Sequence, residues 1–189
     1  MAQLLLQNGI TQATPAAGTI AIYSKTTDKR LYYKDETGVE VGPLGVSLIS
    51  TQQSNFFVWQ STAQAIAAST FTLVGMQSKV HDDLSEFNTS TGLFTATAPG
   101  TYQFSGAVLG SNTTAQNQIL SIYKNGTLLV RLVQQPTNPP GSGQLSGTSP
   151  PIKLIAGDTI GLYYYQSAAD TLFAQTAPNY IWFGGIRLK

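Results

Sequence analysis

The sequence predicts an all-β protein: a two-sheet antiparallel sandwich of jelly-roll type, preceded by an N-terminal β-hairpin arm. Three observations predict it. Glycine (18) and proline (9) punctuate the chain throughout its 189 residues. The runs between them are short and rich in Thr, Val, Ile, Tyr and Phe, which suit a pleated, half-buried surface. No stretch carries a sustained 3.6-residue apolar period with caps. The nearest approach is the alanine-rich piece 61–69, too short for more than a loop or a single turn.

Residues 1–45 form the arm. They hold Lys25, Asp28, Lys29, Arg30, Lys34, Asp35, Glu36 and Glu40, a large share of a chain with only ten basic and nine acidic residues. Thr19–Ser24 alternates, a polar turn 25–30 follows, and Leu31–Lys34 returns as the second strand of a hairpin. Asp35-Glu-Thr-Gly38 is a second turn. So little apolar content makes no independent core, so the arm needs a partner surface, and Ile20, Ile22, Tyr23, Leu31, Tyr32 and Tyr33 are its candidate attachment residues. Residues 46–54 are a connector.

Residues 55–189 read as one all-β domain. Its candidate strands are 55–60, 70–76, 92–97, 100–109, 119–124, 127–134, 151–155, 158–166 and 180–188. Asn125-Gly126 is the strongest hairpin signal, because both residues tolerate the positive φ of a type I′ turn. Pro99-Gly100 and Gly157-Asp158 mark two further turns. Residues 136–151 are a Pro/Gly/Ser loop without periodicity, and 111–118, 134–147 and 168–179 are polar loops of the kind that carry recognition. On 158–166, Ile160, Leu162 and Tyr164 share one face while Gly161, Tyr163 and Tyr165 share the other, so both sides ask for cover. On 100–109, Tyr102 and Phe104 point one way, Gln103 and Ser105 the other.

Composition excludes several function classes. There is no cysteine and a single histidine, His81, which rules out disulfides, thiolate metal sites and histidine pairs. Charged residues are 10% of the chain and the net charge is +1, so no basic field exists for nucleic acid or an anionic membrane. The apolar runs are too short to span a bilayer as helices, and no basic-then-apolar leader opens the sequence. No serine elbow, phosphate loop or dinucleotide fingerprint occurs, and Gly141-Ser-Gly143 lacks the lysine and helix start of a phosphate cradle. Asp82, Asp83 and Glu86 beside His81 offer three carboxylates in the manner of a hard-cation site, but without an Asp-x-Asp-x-Asp-Gly loop they read as a solvated loop. No catalytic residue, cofactor or metal is expected.

Four ordered pieces resemble a known pattern. Residues 87–104, Phe-Asn-Thr-Ser-Thr-Gly-Leu-Phe-Thr-Ala-Thr-Ala-Pro-Gly-Thr-Tyr-Gln-Phe, are similar to F-x-x-x-T-G-x-F-T-x-x-x-P-G-x-Y-x-F. Leu120–Gly126 resembles L-x-x-x-x-N-G, Leu154–Leu162 resembles L-x-x-G-D-x-V-x-L, and Phe183–Leu188 resembles the closing F-S-G-x-L-L. This is the jelly-roll domain shared by complement recognition heads and tumour necrosis factor. The resemblance implies a compact homotrimer, with Tyr163, Tyr165 and Gln103 as interface residues and Tyr164 in the core.

Residues 15–40 carry a second, shorter resemblance, to openings of tailed-bacteriophage structural proteins, roughly P-x-G-x-x-x-x-Y followed by L-Y-x-K-D-x-x-G-x-E. It implies attachment through residues 1–45 to a major capsid or other virion protein, at a virion surface, after folding in the host bacterial cytoplasm. No fibre shaft separates the two parts, which favours a compact knob. The expectation is therefore a non-enzymatic capsid-decorating protein, a cement or head-fibre knob. The alternatives are a tail receptor-binding tip recognising host surface glycan, and a cellular trimeric binding module.

Overall fold

The computed structural model describes residues 5–8, 13–25, 30–42, 53–110, 116–137 and 143–189. The chain divides into two compact units, Met1–Thr51 and Gln52–Lys189.

The first unit is a four-stranded sheet in the order β1 (Leu5–Asn8), β2 (Ala21–Ser24), β3 (Leu31–Lys34) and β4 (Glu40–Val41). β2 and β3 form the expected antiparallel hairpin, with Tyr23 opposite Tyr32 and Ile22 opposite Tyr33. Its tip, residues 26–29, lies outside the described residues, as does most of the connector. The turn at Asp35 is closed by its own side chain. Oδ1 accepts from Thr37 N at 2.9 Å, Thr37 Oγ1 at 2.6 Å and Val39 N at 2.9 Å, and Gly38 supplies a φ of +85°. The Thr37 hydroxyl, with the Val39 amide next, holds the Asp35 carboxyl below the usual carboxylate range.

The second unit is the expected sandwich. Its strands are β5 (Asn55–Trp59), β6 (Gln64–Ile66), β7 (Thr72–Leu73), β8 (Ser78–Asp82), β9 (Phe87–Asn88), β10 (Leu93–Thr95), β11 (Gly100–Gly110), β12 (Gln116–Lys124), β13 (Thr127–Thr137), β14 (Gly143–Thr148), β15 (Ile152–Leu154), β16 (Thr159–Gln166), β17 (Asp170–Leu172) and β18 (Trp182–Arg187). One sheet runs β13-β12-β16-β10-β9, with β7 also on β16; the other runs β14-β11-β18-β5-β8, with β15 also on β11. We call them the β16 sheet and the β11 sheet.

Alternation builds the core between them. β5 buries Phe56 and Val58, β11 buries Tyr102, Phe104 and Val108, and β16 buries Ile160, Leu162 and Tyr164. Phe56, Phe87, Phe94, Phe104 and Phe183 meet in one aromatic cluster, with centroids 5.0 Å apart for Phe56–Phe94 and 5.2 Å for Phe56–Phe183. Gly185 is required there, because a Cβ would lie 2.6 Å from the Phe104 ring and 2.7 Å from that of Phe56.

The two turns flagged by sequence are joined to each other. Asn125 and Gly126 take φ of +51° and +76°, as a type I′ turn needs. Asn125 Nδ2 donates to Asp158 Oδ1 at 2.8 Å, Thr159 N donates to Asn125 Oδ1 at 2.8 Å, and Lys124 Nζ sits 2.7 Å from Asp158 Oδ2. Lys124 above all, with the Ile155 amide and Asn125, pulls the Asp158 carboxyl down to about 2.

Five strands depart from the sequence expectation. Residues 64–66 form β6, not a helical turn, and 170–172 form β17, not a loop; the two pair as a ribbon that sends Ile66 and Leu172 into the core. Residues 143–148, expected as loop, are the edge strand β14, inserting only Leu145 into the core. His81 and Asp82, expected in a solvated loop, lie on β8, paired with β5. The strand expected over 70–76 shrinks to its two central residues.

Candidate functional site

Because the core lies between the sheets, each sheet has one outward face, and each face carries an aromatic group.

The outward face of the β16 sheet holds Tyr163 and Tyr165. Both point away from the core and are half-buried, while Tyr164 is fully buried between them. Burial, and then the charge of Asp170, raise the Tyr164 hydroxyl pKa; that hydroxyl is bonded by the Gln118 amide and donates to Gln166 Oε1 at 2.9 Å. Tyr163 stacks on Tyr123 with ring centroids 4.0 Å apart and 20° between planes. Phe71, just before β7, bridges Tyr123 at 5.8 Å and Tyr165 at 5.0 Å. Beneath the stack, Ser121 is fully buried, small enough to let the rings close, and its Oγ has no hydrogen-bond partner. Burial and the neighbouring Tyr163 raise the Tyr123 pKa, partly offset by Arg131. Beside the rings runs a polar row: Arg131 Nη1 donates to Gln134 Oε1 at 3.2 Å, and Gln134 Nε2 to Asn117 Oδ1 at 3.4 Å.

The outward face of the β11 sheet holds Gln103. Its Nε2 donates to Ser149 O at 3.1 Å, so part of its hydrogen-bonding capacity is spent within the subunit. Across β8, β5 and β18 lie His81, Phe57 and Trp182, with Phe57 6.2 Å from His81 and 5.6 Å from Trp182, the last pair edge-on at 67°. Gly184 flattens the middle of this face, leaving a depression of about 280 Å³ bordered by Phe57, His81, Gln103 and Ile186. His81 Nε2 is covered yet has no hydrogen-bond partner, and Ile186 is 37% exposed.

The three residues expected at one interface therefore divide. Tyr163 and Tyr165 share one face; Gln103 lies on the opposite face. The sequence reading missed Phe71 and Tyr123 in the first group, and Phe57, His81 and Trp182 in the second. Their signal was available only in part: Phe57 and Trp182 occupy the non-core positions of apolar strands, but register alone brings them side by side.

Two of the three carboxylates near His81, Asp82 and Glu86, are already engaged. Asp82 accepts from Glu86 N at 2.9 Å, Phe87 N at 3.1 Å and Lys79 Nζ at 2.6 Å, and Glu86 accepts from Thr97 N at 2.9 Å. They fasten the β8–β9 turn. Among the described residues no group of three or more metal-ligating side chains forms.

In the first unit the attachment candidates also divide. Tyr23 and Tyr32 are buried and stacked at 6.2 Å, with Lys25 4.2 Å over the Tyr32 ring and the Tyr23 hydroxyl bonded to Glu40. Burial first, then Glu40, pushes the Tyr23 hydroxyl up to about 12. Ile22, Leu31 and Tyr33 lie on the other face of the hairpin, half-buried, near the exposed Ile20 and Val41.

The fold and the two faces define a jelly-roll sandwich module. The chain belongs to the C1q domain family, whose model matches residues 55–188. Solved structures similar in fold include murine APRIL at pH 8.5, with TM-score 0.51, 17% identity and coverage of 72% of this chain and 99% of that one. A second is Eiger TNF from S. frugiperda, with TM-score 0.51, 15% identity and coverage of 72% and 93%. The globular domain of zebrafish complement 1qA protein aligns with TM-score 0.48 and 17% identity over 72% and 98%. No curated protein matches the sequence.

Proposed function

We propose that the sandwich is a non-enzymatic, homotrimeric knob whose subunits meet through the outward face of the β11 sheet, and that residues 1–45 attach the knob to a virion as a capsid-decorating protein. A three-fold ring is heterologous, so the β11 face meets a different patch of the neighbouring subunit, and the face that carries Tyr163 stays outside the contact. The observation that carries the choice is the state of the two faces. On the β11 sheet, Phe57 and Ile186 border an open depression, and Ile186 is exposed beside it. On the β16 sheet, the rings are already held by one another. The attachment reading rests on the sequence resemblance of residues 15–40 and on the open row Ile20, Ile22, Leu31, Tyr33 of the first sheet. Tyr23 and Tyr32 serve that sheet's interior and position the row.

Light scattering on the full chain tests the assembly. One subunit is 20.1 kDa, and the expected mass is about three times that. Ile186→Asp should give monomers, because the charge is solvated on a free subunit but buried in the trimer. Tyr163→Asp should leave the mass unchanged. The reverse pattern would move the interface to the β16 sheet. Immunogold labelling of particles with an antibody against 55–189 tests the location. Label over heads supports decoration, label at tail tips supports a receptor-binding tip, and no label with an accessible epitope removes the virion reading.

A further inference from the structure

We infer that the outward face of the β16 sheet is a binding site for an acidic oligosaccharide, one bearing uronic-type carboxylates. Three features of this face converge on that chemistry. Tyr163, Tyr165 and Phe71 are half-buried rings held in place by stacking, Tyr163 on Tyr123 at 4.0 Å and Phe71 on Tyr165 at 5.0 Å. Rings fixed this way offer C–H-binding surface to a sugar with little side-chain entropy left to lose on binding. The register then places a polar row alongside them. Arg131 pairs across from Ser121, and Gln134 from Ile119, so both side chains emerge on the ring side of β13. Arg131, Gln134 and Asn117 form a chain of contacts, so their remaining donors are pre-aimed at solvent over the same surface. Amides and a guanidinium are the groups that bond sugar hydroxyls and carboxylates.

Charge decides between neutral and acidic sugars. Among the described residues the ion pairs are Lys25–Glu40, Lys79–Asp82 and Lys124–Asp158, and Arg131 joins none of them. Its hydrogen-bond partner is a neutral amide, and the side chain is exposed. Asp158, the acid just before β16, is held by Lys124 at the far turn. An exposed guanidinium without an acidic partner, beside a ring stack, is complementary to a carboxylate carried on a sugar ring.

The site needs the β16 face to stay open in the trimer, as proposed above. Calorimetric titration of the full chain with trigalacturonate, beside maltotriose as the neutral probe, tests the inference, with the mass measured on the same samples. Saturable binding of trigalacturonate is expected, tighter than that of maltotriose. Tyr163→Ala should weaken it at least tenfold with the mass unchanged. Arg131→Gln should weaken trigalacturonate binding and leave maltotriose where it was. Absence of saturable trigalacturonate binding at millimolar concentration overturns the site, as does binding that neither variant changes. If Tyr163→Ala instead dissociates the trimer, the face is a subunit contact and both readings fall; if only trigalacturonate binding fails, the trimer reading stands.

Discussion

The two outward faces of the sandwich start from the same kind of strand and end differently. Each is carried by a central strand whose non-core positions hold aromatic residues, β16 with Tyr163 and Tyr165, β18 with Trp182. On the β16 face the rings find each other, bridged by Phe71, and a polar row borders them. On the β11 face Phe57 and Trp182 meet edge-on, and beside Phe57 and Gly184 lie a hollow and an unpartnered imidazole nitrogen. The lesson is that aromatic content at non-core positions does not identify a subunit contact. What matters is whether the neighbours on the sheet already hold the rings, and that depends on register.

The largest test removes the floor beneath both faces. Phe104 touches Phe56, Phe94, Tyr102 and Phe183, so Phe104→Ala should cost about 3–5 kcal/mol in urea unfolding. Trp182 and Tyr163 fluorescence and accessibility should change together in that variant; a change on one face alone would mean that the faces do not share one core. A smaller effect separates the faces by acid. Asp158 ties the β12–β13 turn to β16, and its carboxyl is depressed to about 2 in the folded chain. A depressed acid stabilises above its unfolded value of about 4 and loses that contribution as pH falls toward 2. Protection of the amides near 123–126 and 158–160, measured against their intrinsic exchange rates, should therefore fall between pH 4 and pH 2, ahead of protection in β5 and β18. In Asp158→Asn that pH step should disappear. The smallest effect lies under the tyrosine stack. Ser121→Ala removes a buried hydroxyl without a partner, so unfolding free energy should stay level or rise by up to about 1 kcal/mol. A clear loss would mean that the hydroxyl has a role in the stack.

Much of the fold was legible because its signals are local. Positive φ at Asn125 and Gly126 follows from residue type, and the burial of Phe56, Tyr102, Phe104, Leu162 and Tyr164 follows from alternation. β6, β14 and β17 were not legible, because each contributes only one residue to the core, Ile66, Leu145 and Leu172 in turn. A short strand with one apolar position has no period to detect; it exists because a neighbour offers it hydrogen bonds. β14 is an extreme case, six residues paired along β11 from Ser105 to Gly110. The sites followed the same rule. Tyr163 and Tyr165 could be assigned to one side of their strand, and Gln103 to one side of its own. That these sides lie on opposite faces of the molecule could not be read, because sheet order is set by pairings between residues far apart in the chain.

The amino-acid order by itself determined the class of the fold, the family of residues 55–188, the turn chemistry and the inward face of each long strand. These depend on residue type and on a period of two, which any single segment carries. Only the tertiary structure decided which rings stack, which apolar surface stays open, that Asp82 and Glu86 fasten a turn, and that Arg131 stands beside tyrosines without an acidic partner. Those outcomes depend on strand order and register, which arise when separate segments compete for the same hydrogen bonds and the same core.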